Sequence, residues 1–194
     1  MLEKYKRFFV REHVGVLKLT DTYDILDADS QHQIGVAKDE PASWAKYLRL
    51  LVSKQLLPTT VNIYENEQLV LSIHKPFVFI RSKVTVTKAD GQNLGYFKGK
   101  LFSIGGGFWV FDTADQQVAE IKGDWKGWNF RFLGRDQSEL GTVTKKWAGL
   151  GKELFTSADN YVIALNDQHH FRENDSLLLL AAGIAIDVVF KERK

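Results

Sequence analysis

The chain contains no cysteine. Disulfides, thiolate-ligated zinc, thiol catalysis and S-acylation are therefore excluded by covalent chemistry. It has only three prolines in 194 residues and no low-complexity run, which leaves little room for a disordered linker. It also lacks an excess of either charge: 26 basic against 24 acidic residues give a formal +2. A general nucleic-acid binder would carry a strong basic excess, so no nucleic-acid partner is expected. Finally, no apolar run is long enough for a bilayer. The longest, Leu177–Phe190, is interrupted by Asp187. At 1.5 Å per residue it reaches about 21 Å, short of the roughly 30 Å hydrocarbon core.

What the sequence does have is concentrated at its C-terminal end. Ser176 to Phe190 reads SLLLLAAGIAIDVVF and is apolar all round. A helix of that kind must be buried in protein or in lipid, and its length favours protein. Asn174, Asp175 or Ser176 supplies a helix start. Nine large apolar side chains there would contribute roughly 13–27 kcal/mol gross if fully buried, most of it offset by chain entropy.

A second pattern repeats along the rest of the chain. ILDADSQHQIG around Asp27, VTKADGQNLG around Asp90, VFDTADQQVA around Asp115 and FLGRDQSELG around Asp136 each place a polar turn between β-rich flanks. IYENEQLVL at Ile63–Leu71 is a looser fifth copy. Asp and Gly supply tight-turn geometry, so the reading is a series of β-hairpins. Strict alternation in Lys83–Thr87 and Gln117–Lys122 supports it. Many hairpins and one fully apolar helix have an economical joint solution, in which the sheet closes into an antiparallel β-barrel of about 10–12 strands with the helix on its axis. One domain over residues 1–194 is expected. A single segment departs from the β pattern. Ala42–Leu57 has Trp44, Tyr47, Leu48, Leu51 and Val52 at helical spacing, with Lys46, Arg49 and Lys54 elsewhere. It predicts an amphipathic helix at about 42–57, packed across one face or end of the sheet; a membrane-surface helix is the other reading.

Enzyme signatures are thin. There is no HExxH. His169, His170 and Glu173 sit in a polar bridge that reads as a solvated loop, and Gly105–Gly107 lacks the Lys-Ser/Thr of a phosphate loop. No catalytic residue is assigned. Basic residues interleaved with aromatics are better represented. Lys122 and Lys126 lie among Trp125, Trp128, Phe130 and Phe132, and Lys145, Lys146 and Lys152 flank Trp147. Such sets suit an anionic lipid headgroup surface. The N-terminal MLEKYKRFFVREHVG is charged and has no apolar stretch of the signal-peptide kind, so a cytoplasmic location is expected.

The stretch GTVTKKWAGLGKELFTSADNYVIAL (Gly141–Leu165), followed by LLLLAAGIAIDVVF, resembles the C-terminal part of phospholipid scramblases. It is also similar to the plant LURP-one-related proteins and their bacterial relatives, which share the Tubby C-terminal-like fold. The resemblance implies a closed barrel around a hydrophobic C-terminal helix, which agrees with the pattern above. It also implies phospholipid binding at the cytoplasmic face of a membrane, with Lys145, Lys146, Trp147, Lys152, Lys122 and Lys126 as lipid-binding candidates, and lipid scrambling. It further implies a calcium site before the terminal helix. Ser157 stands where that site has an acidic residue, which leaves Asp159, Asn160 and Asp167 as oxygen donors against the six to eight that calcium takes. The palmitoylated cysteines of the eukaryotic proteins have no counterpart. The alternative function is a soluble ligand- or protein-binding regulatory module with a purely structural axis helix. An open pocket at the barrel end or an exposed apolar face on 42–57 would favour it.

Overall fold

The computed structural model describes residues 2–13, 20–52, 56–77, 83–99, 107–124, 128–145 and 160–190. A 3₁₀ turn at Leu2–Lys4 precedes β1 (Arg7–Glu12), β2 (Thr22–Asp27), β3 (Gln33–Asp39) and α1 (Ser43–Leu48). Then come β4 (Thr59–Glu65), β5 (Gln68–Lys75), β6 (Lys83–Lys88), β7 (Asn93–Gly99), β8 (Gly107–Phe111) and β9 (Gln117–Asp124). β10 (Asn129–Leu133), β11 (Glu139–Thr144), β12 (Tyr161–Leu165) and α2 (Glu173–Phe190) complete the fold. The twelve strands form one closed barrel in which each pairs antiparallel with its sequence neighbours, and β1 pairs with β12 to shut it.

The repeat seen in the sequence is a repeat in space. Its five turns join β2 to β3, β4 to β5, β6 to β7, β8 to β9 and β10 to β11. All five therefore fall at the same end of the barrel. Each turn is accompanied by a register shift next to it, at Ile25/Leu26, Ile63/Tyr64, Val86/Thr87, Val110/Phe111 and Phe132/Leu133. A bulge adds twist, and one bulge per hairpin gives the wall a regular source of curvature. The turn residues Gln31, Asn66, Glu67, Gly91, Asp115 and Gln137 all take positive φ. Asp and Asn side chains support such turns by bonding backbone two residues on, as Asp90 Oδ1 does with Gln92 N at 2.8 Å and Asp136 Oδ1 with Ser138 N at 3.0 Å.

Alternate residues of each strand point inward onto α2. Phe8, Val10, Tyr23, Ile25, Val61, Ile63, Leu71, Ile73, Phe97, Phe108, Phe130, Phe132 and Ile163 surround a helix whose residues Leu177 to Asp187 are all buried. The helix that no aqueous surface could carry is the content of the barrel. Gly107, the last residue of the glycine triplet, opens β8 at φ +134°, and a Cβ there would lie 2.2 Å from the Ile121 carbonyl oxygen. The triplet's end is thus a point of close strand approach. The outer wall is polar over β4–β6. Asn62 accepts from Ser72 at 2.7 Å, Thr60 meets His74 at 3.1 Å, and Thr85 and Thr87 follow on β6. A membrane-crossing barrel needs an apolar outer band instead. The wall at β1, β2 and β12 differs, since Phe9, Leu26, Ala28, Val162 and Ala164 form a second buried cluster outside the barrel.

On the outside of β2, Asp24 gathers Arg11 Nη2 at 2.7 Å, His13 Nε2 at 2.8 Å and Gln33 Nε2 at 3.3 Å. Burial alone would raise its carboxyl, but hydrogen bonds from Arg11 and His13 outweigh that and hold it below its ordinary value. A depressed carboxylate stabilises the fold above its unfolded pKa, and that contribution is lost as pH falls through the folded value. Asp24→Asn is expected to cost about 1 kcal/mol at pH 7, kept small by the half-exposed Arg11. The gap to the wild-type chain should close as pH drops below about 4, as read by urea unfolding at the two pH values.

Candidate functional site

The other end of the barrel is built differently. There five of the six connections are long, 13–21, 40–58, 76–82, 100–106 and 145–160, and only 125–128 is as short as the turns opposite. A rigid wall carrying long loops at one rim is the usual placement of function. α2 runs from Glu173 at the short-turn end to Phe190 at this rim.

Just inside the rim, Asp187 is 1 % exposed. It lies beside Tyr23, at the start of β2. Burial first, and then the negative charge of Asp187, pushes the Tyr23 phenol well above its ordinary value. Tyr161, at the start of β12, is fully buried and also acts on Tyr23. Its ring lies 5.2 Å from Trp128, which stands edge-on to Phe130 at 5.9 Å. The ammonium of Lys145 sits over the Trp128 ring at 4.5 Å, and Lys145 N donates to Trp128 O at 3.3 Å. Trp128 holds φ +47°, a left-handed conformation unusual for a bulky side chain. An aromatic column thus leads from the buried carboxylate region to a cation at the rim.

The structure separates the other candidates. Lys122 lies on the outer wall of β9, opposite Arg131, with its ammonium 3.2 Å from Glu120 Oε2 and 3.3 Å from Gln137 Oε1. It stands about three residues, or roughly 10 Å, below the level of Lys145. Lys126, Lys146, Trp147 and Lys152 lie outside the described residues, in the connections that leave the same rim after β9 and β11. Of the calcium donors, Asp159 also lies outside the described residues. Asn160 is buried at the rim, where its Oδ1 accepts from Glu12 N at 3.1 Å. Asp167 is at the opposite end of β12, paired with Arg7 and 3.9 Å from Lys6 Nζ. The length of β12 keeps Asn160 and Asp167 roughly 17 Å or more apart, so the two cannot share one ion. Among the described residues no group of three or more His, Asp or Glu side chains converges on a metal-sized space. His169 and His170 are exposed in the β12–α2 connection, and the His169 ring rests 4.8 Å from Phe171.

The largest departure from the sequence reading is α1. Helix covers Ser43–Leu48, the first part of the expected 42–57 span, and turns follow to Val52. Its apolar side chains do not cover the sheet. Trp44 is 54 % exposed, Tyr47 69 %, Leu50 68 % and Leu51 85 %, while Ala45 is fully buried. The polar member faces inward. The Arg49 side chain is 2 % exposed, and its guanidinium pairs with both oxygens of Asp39 and reaches Thr59 Oγ1 at 2.6 Å. A helical wheel has no means of showing that a bidentate partner waits at the end of β3, which is why this face was misassigned. Leu48, Leu56 and Phe77 are also exposed, so every large apolar side chain left exposed among the described residues lies on this end, between β3 and β6.

The sequence matches the Scramblase family over residues 14–193. The chain belongs to the scramblase family. It is 28% identical over 141 residues to a phospholipid scramblase family protein of Schizosaccharomyces pombe, a match that covers 66% of this chain and 36% of that protein. The scramblase-family chain thus spans about a third of the length of this curated relative. No solved structure matches it. Among the described residues, no helix of this family member is long and apolar enough to cross a membrane.

Proposed function

We propose that this scramblase-family barrel is a non-enzymatic module that associates with anionic phospholipid at the cytoplasmic surface of a membrane. The observation that carries the reading is the Lys145–Trp128–Tyr161 column at the long-loop rim. An ammonium held over an indole at the edge of a rigid wall suits the headgroup zone, where cations meet phosphate and Trp prefers the interface. The polar outer wall of β4–β6 agrees with a barrel that meets the bilayer with its end. Lys126, Lys146, Trp147 and Lys152 belong to connections that leave the same rim. Binding is the step this state supports. Moving lipid between leaflets would need a further state, because α2 is occupied as the barrel's core.

The test is co-sedimentation with phosphatidylcholine vesicles, with and without phosphatidylserine. Retention only on the anionic vesicles is expected, weakening as salt rises. Lys145→Ala should reduce the affinity about fivefold, the equivalent of about 1 kcal/mol per cation. Binding with calcium chelated is expected to be unchanged, because Asn160 and Asp167 are not brought together. Indifference to lipid charge would remove the reading. Two observations, the exposed apolar face of α1 and the open depression beside it, favour the second reading, a soluble protein- or ligand-binding regulatory module. That reading predicts no response to vesicles at all.

A further inference from the structure

α1 is an amphipathic segment turned inside out. In water a surface helix buries its apolar stripe and exposes its arginine. Here Arg49 is sealed against Asp39 and Thr59, and Trp44, Tyr47, Leu50 and Leu51 face outward. A buried bidentate pair fixes orientation as well as position. The exposed side chains are therefore held out by the fold and do not hang from a loose loop.

Beside them is a depression of about 460 Å³, lined by Thr20, Thr22, Lys38, Ser43, Lys46 and Tyr47 along with Asp39, Glu40 and Pro41. Its two carboxylates already have partners. Asp39 is taken by Arg49 and Thr59, and Glu40 accepts from Asn62 Nδ2 at 2.6 Å and from the Tyr64 hydroxyl at 3.1 Å. Its two ammonium groups, on Lys38 and Lys46, are exposed, with Lys38 resting 5.2 Å from the Tyr64 ring. Hydroxyls and cations thus adjoin a tyrosine, a tryptophan and leucines.

We propose that α1 and the turn after it form a wedge that enters the acyl–headgroup boundary of an anionic bilayer, with Lys38 and Lys46 receiving a headgroup phosphate in the adjoining depression. Cations, hydroxyls, aromatic rings and leucines thus occur together on one end of the barrel, and these are the groups that the headgroup, interfacial and acyl layers of a leaflet take. A protein groove would take the leucines but has no reason to require paired lysines over hydroxyls beside them. The proposal rests on the membrane reading above and names the element that inserts.

The experiment uses the full chain and vesicles of phosphatidylcholine with phosphatidylserine. Leu50→Ser with Leu51→Ser should weaken vesicle binding about tenfold or more, since interfacial affinity scales with the apolar area inserted. Because the native chain has no cysteine, Leu51→Cys takes a single environment-sensitive dye. Its emission should shift to the blue on vesicles, while the same dye at Ala114→Cys, in the opposite-end turn, should not respond. Undiminished binding of the double serine variant with an unresponsive Leu51 label, while Lys145→Ala still weakens binding, would overturn the wedge and leave the membrane reading intact. Failure of the wild-type chain to bind any vesicle would overturn both. A blue shift that follows protein concentration and ignores lipid would assign the face to a second copy of the chain and overturn the wedge.

Discussion

Arg49→Met is expected to lower the stability of the chain by about 3–5 kcal/mol, because it strands the Asp39 carboxylate where water does not reach. The partner side chains are only 2 % and 5 % exposed. The cost is mainly that of an uncompensated buried charge, and only in small part that of a lost attraction. The paired change, Asp39→Leu with Arg49→Met, should therefore recover most of the loss. Urea unfolding of the two single variants and the double variant gives the coupling directly. A loss under 1 kcal/mol for Arg49→Met would mean that the pair is solvated and α1 is loosely seated. The same variant bears on the wedge, since without the guanidinium nothing obliges Leu50 and Leu51 to stay outside. A Leu51→Cys label in an Arg49→Met background should already be shielded from water without vesicles.

Gly183→Leu should be comparably severe. A Cβ at Gly183 would lie 2.5 Å from Ile163 Cδ1, 2.8 Å from Cγ1 and 3.2 Å from Cγ2. Three atoms of one β-branched side chain cannot all be cleared by a rotamer change, and Ile163 is itself fully buried. Glycine inside a helix costs about 1 kcal/mol relative to alanine. That cost is tolerated here because the axis helix and β12 touch at this level. Even Gly183→Ala should be net destabilising despite its better helix propensity, and Gly183→Leu should cost about 3 kcal/mol or more. Exchanging the volumes, Gly183→Leu with Ile163→Ala, should restore part of the loss. Thermal unfolding of the three variants orders them. A stabilised Gly183→Ala would show that the helix can retreat from the wall.

Much of this architecture was legible before any coordinates. The turns at Asp27, Asn66, Asp90, Asp115 and Asp136 announce themselves by residue type, since few side chains accept positive φ or bond back to their own turn. The terminal helix is legible because Leu177–Ile186 has no polar face to offer. Neither signal depends on distant partners. The features that were missed all do. Arg49 on a helical wheel is a solvated cation, and only the arrival of Asp39 and Thr59 from neighbouring strands turns it inward and the leucines outward. Asp187 in the sequence is one carboxylate interrupting an apolar run, and only β2 and β12 bring Tyr23 and Tyr161 to its level. Lys122 and Lys145 look alike in sequence. Strand register puts one on the wall beside Glu120 and the other at the rim over Trp128, which was one aromatic among several until β10 and β12 placed it.

The seam between β1 and β12 has a consequence for how the chain reaches its native state. During translation, the strand that must join Phe8 to Ile163 emerges very late, and the stuffing for the lumen emerges later still. Until then the growing polypeptide holds an unsealed sheet with a greasy interior and an open edge at each side. Such a species folds slowly and is prone to sticking to its neighbours. Residues 1–165 must therefore all be made before the barrel can close.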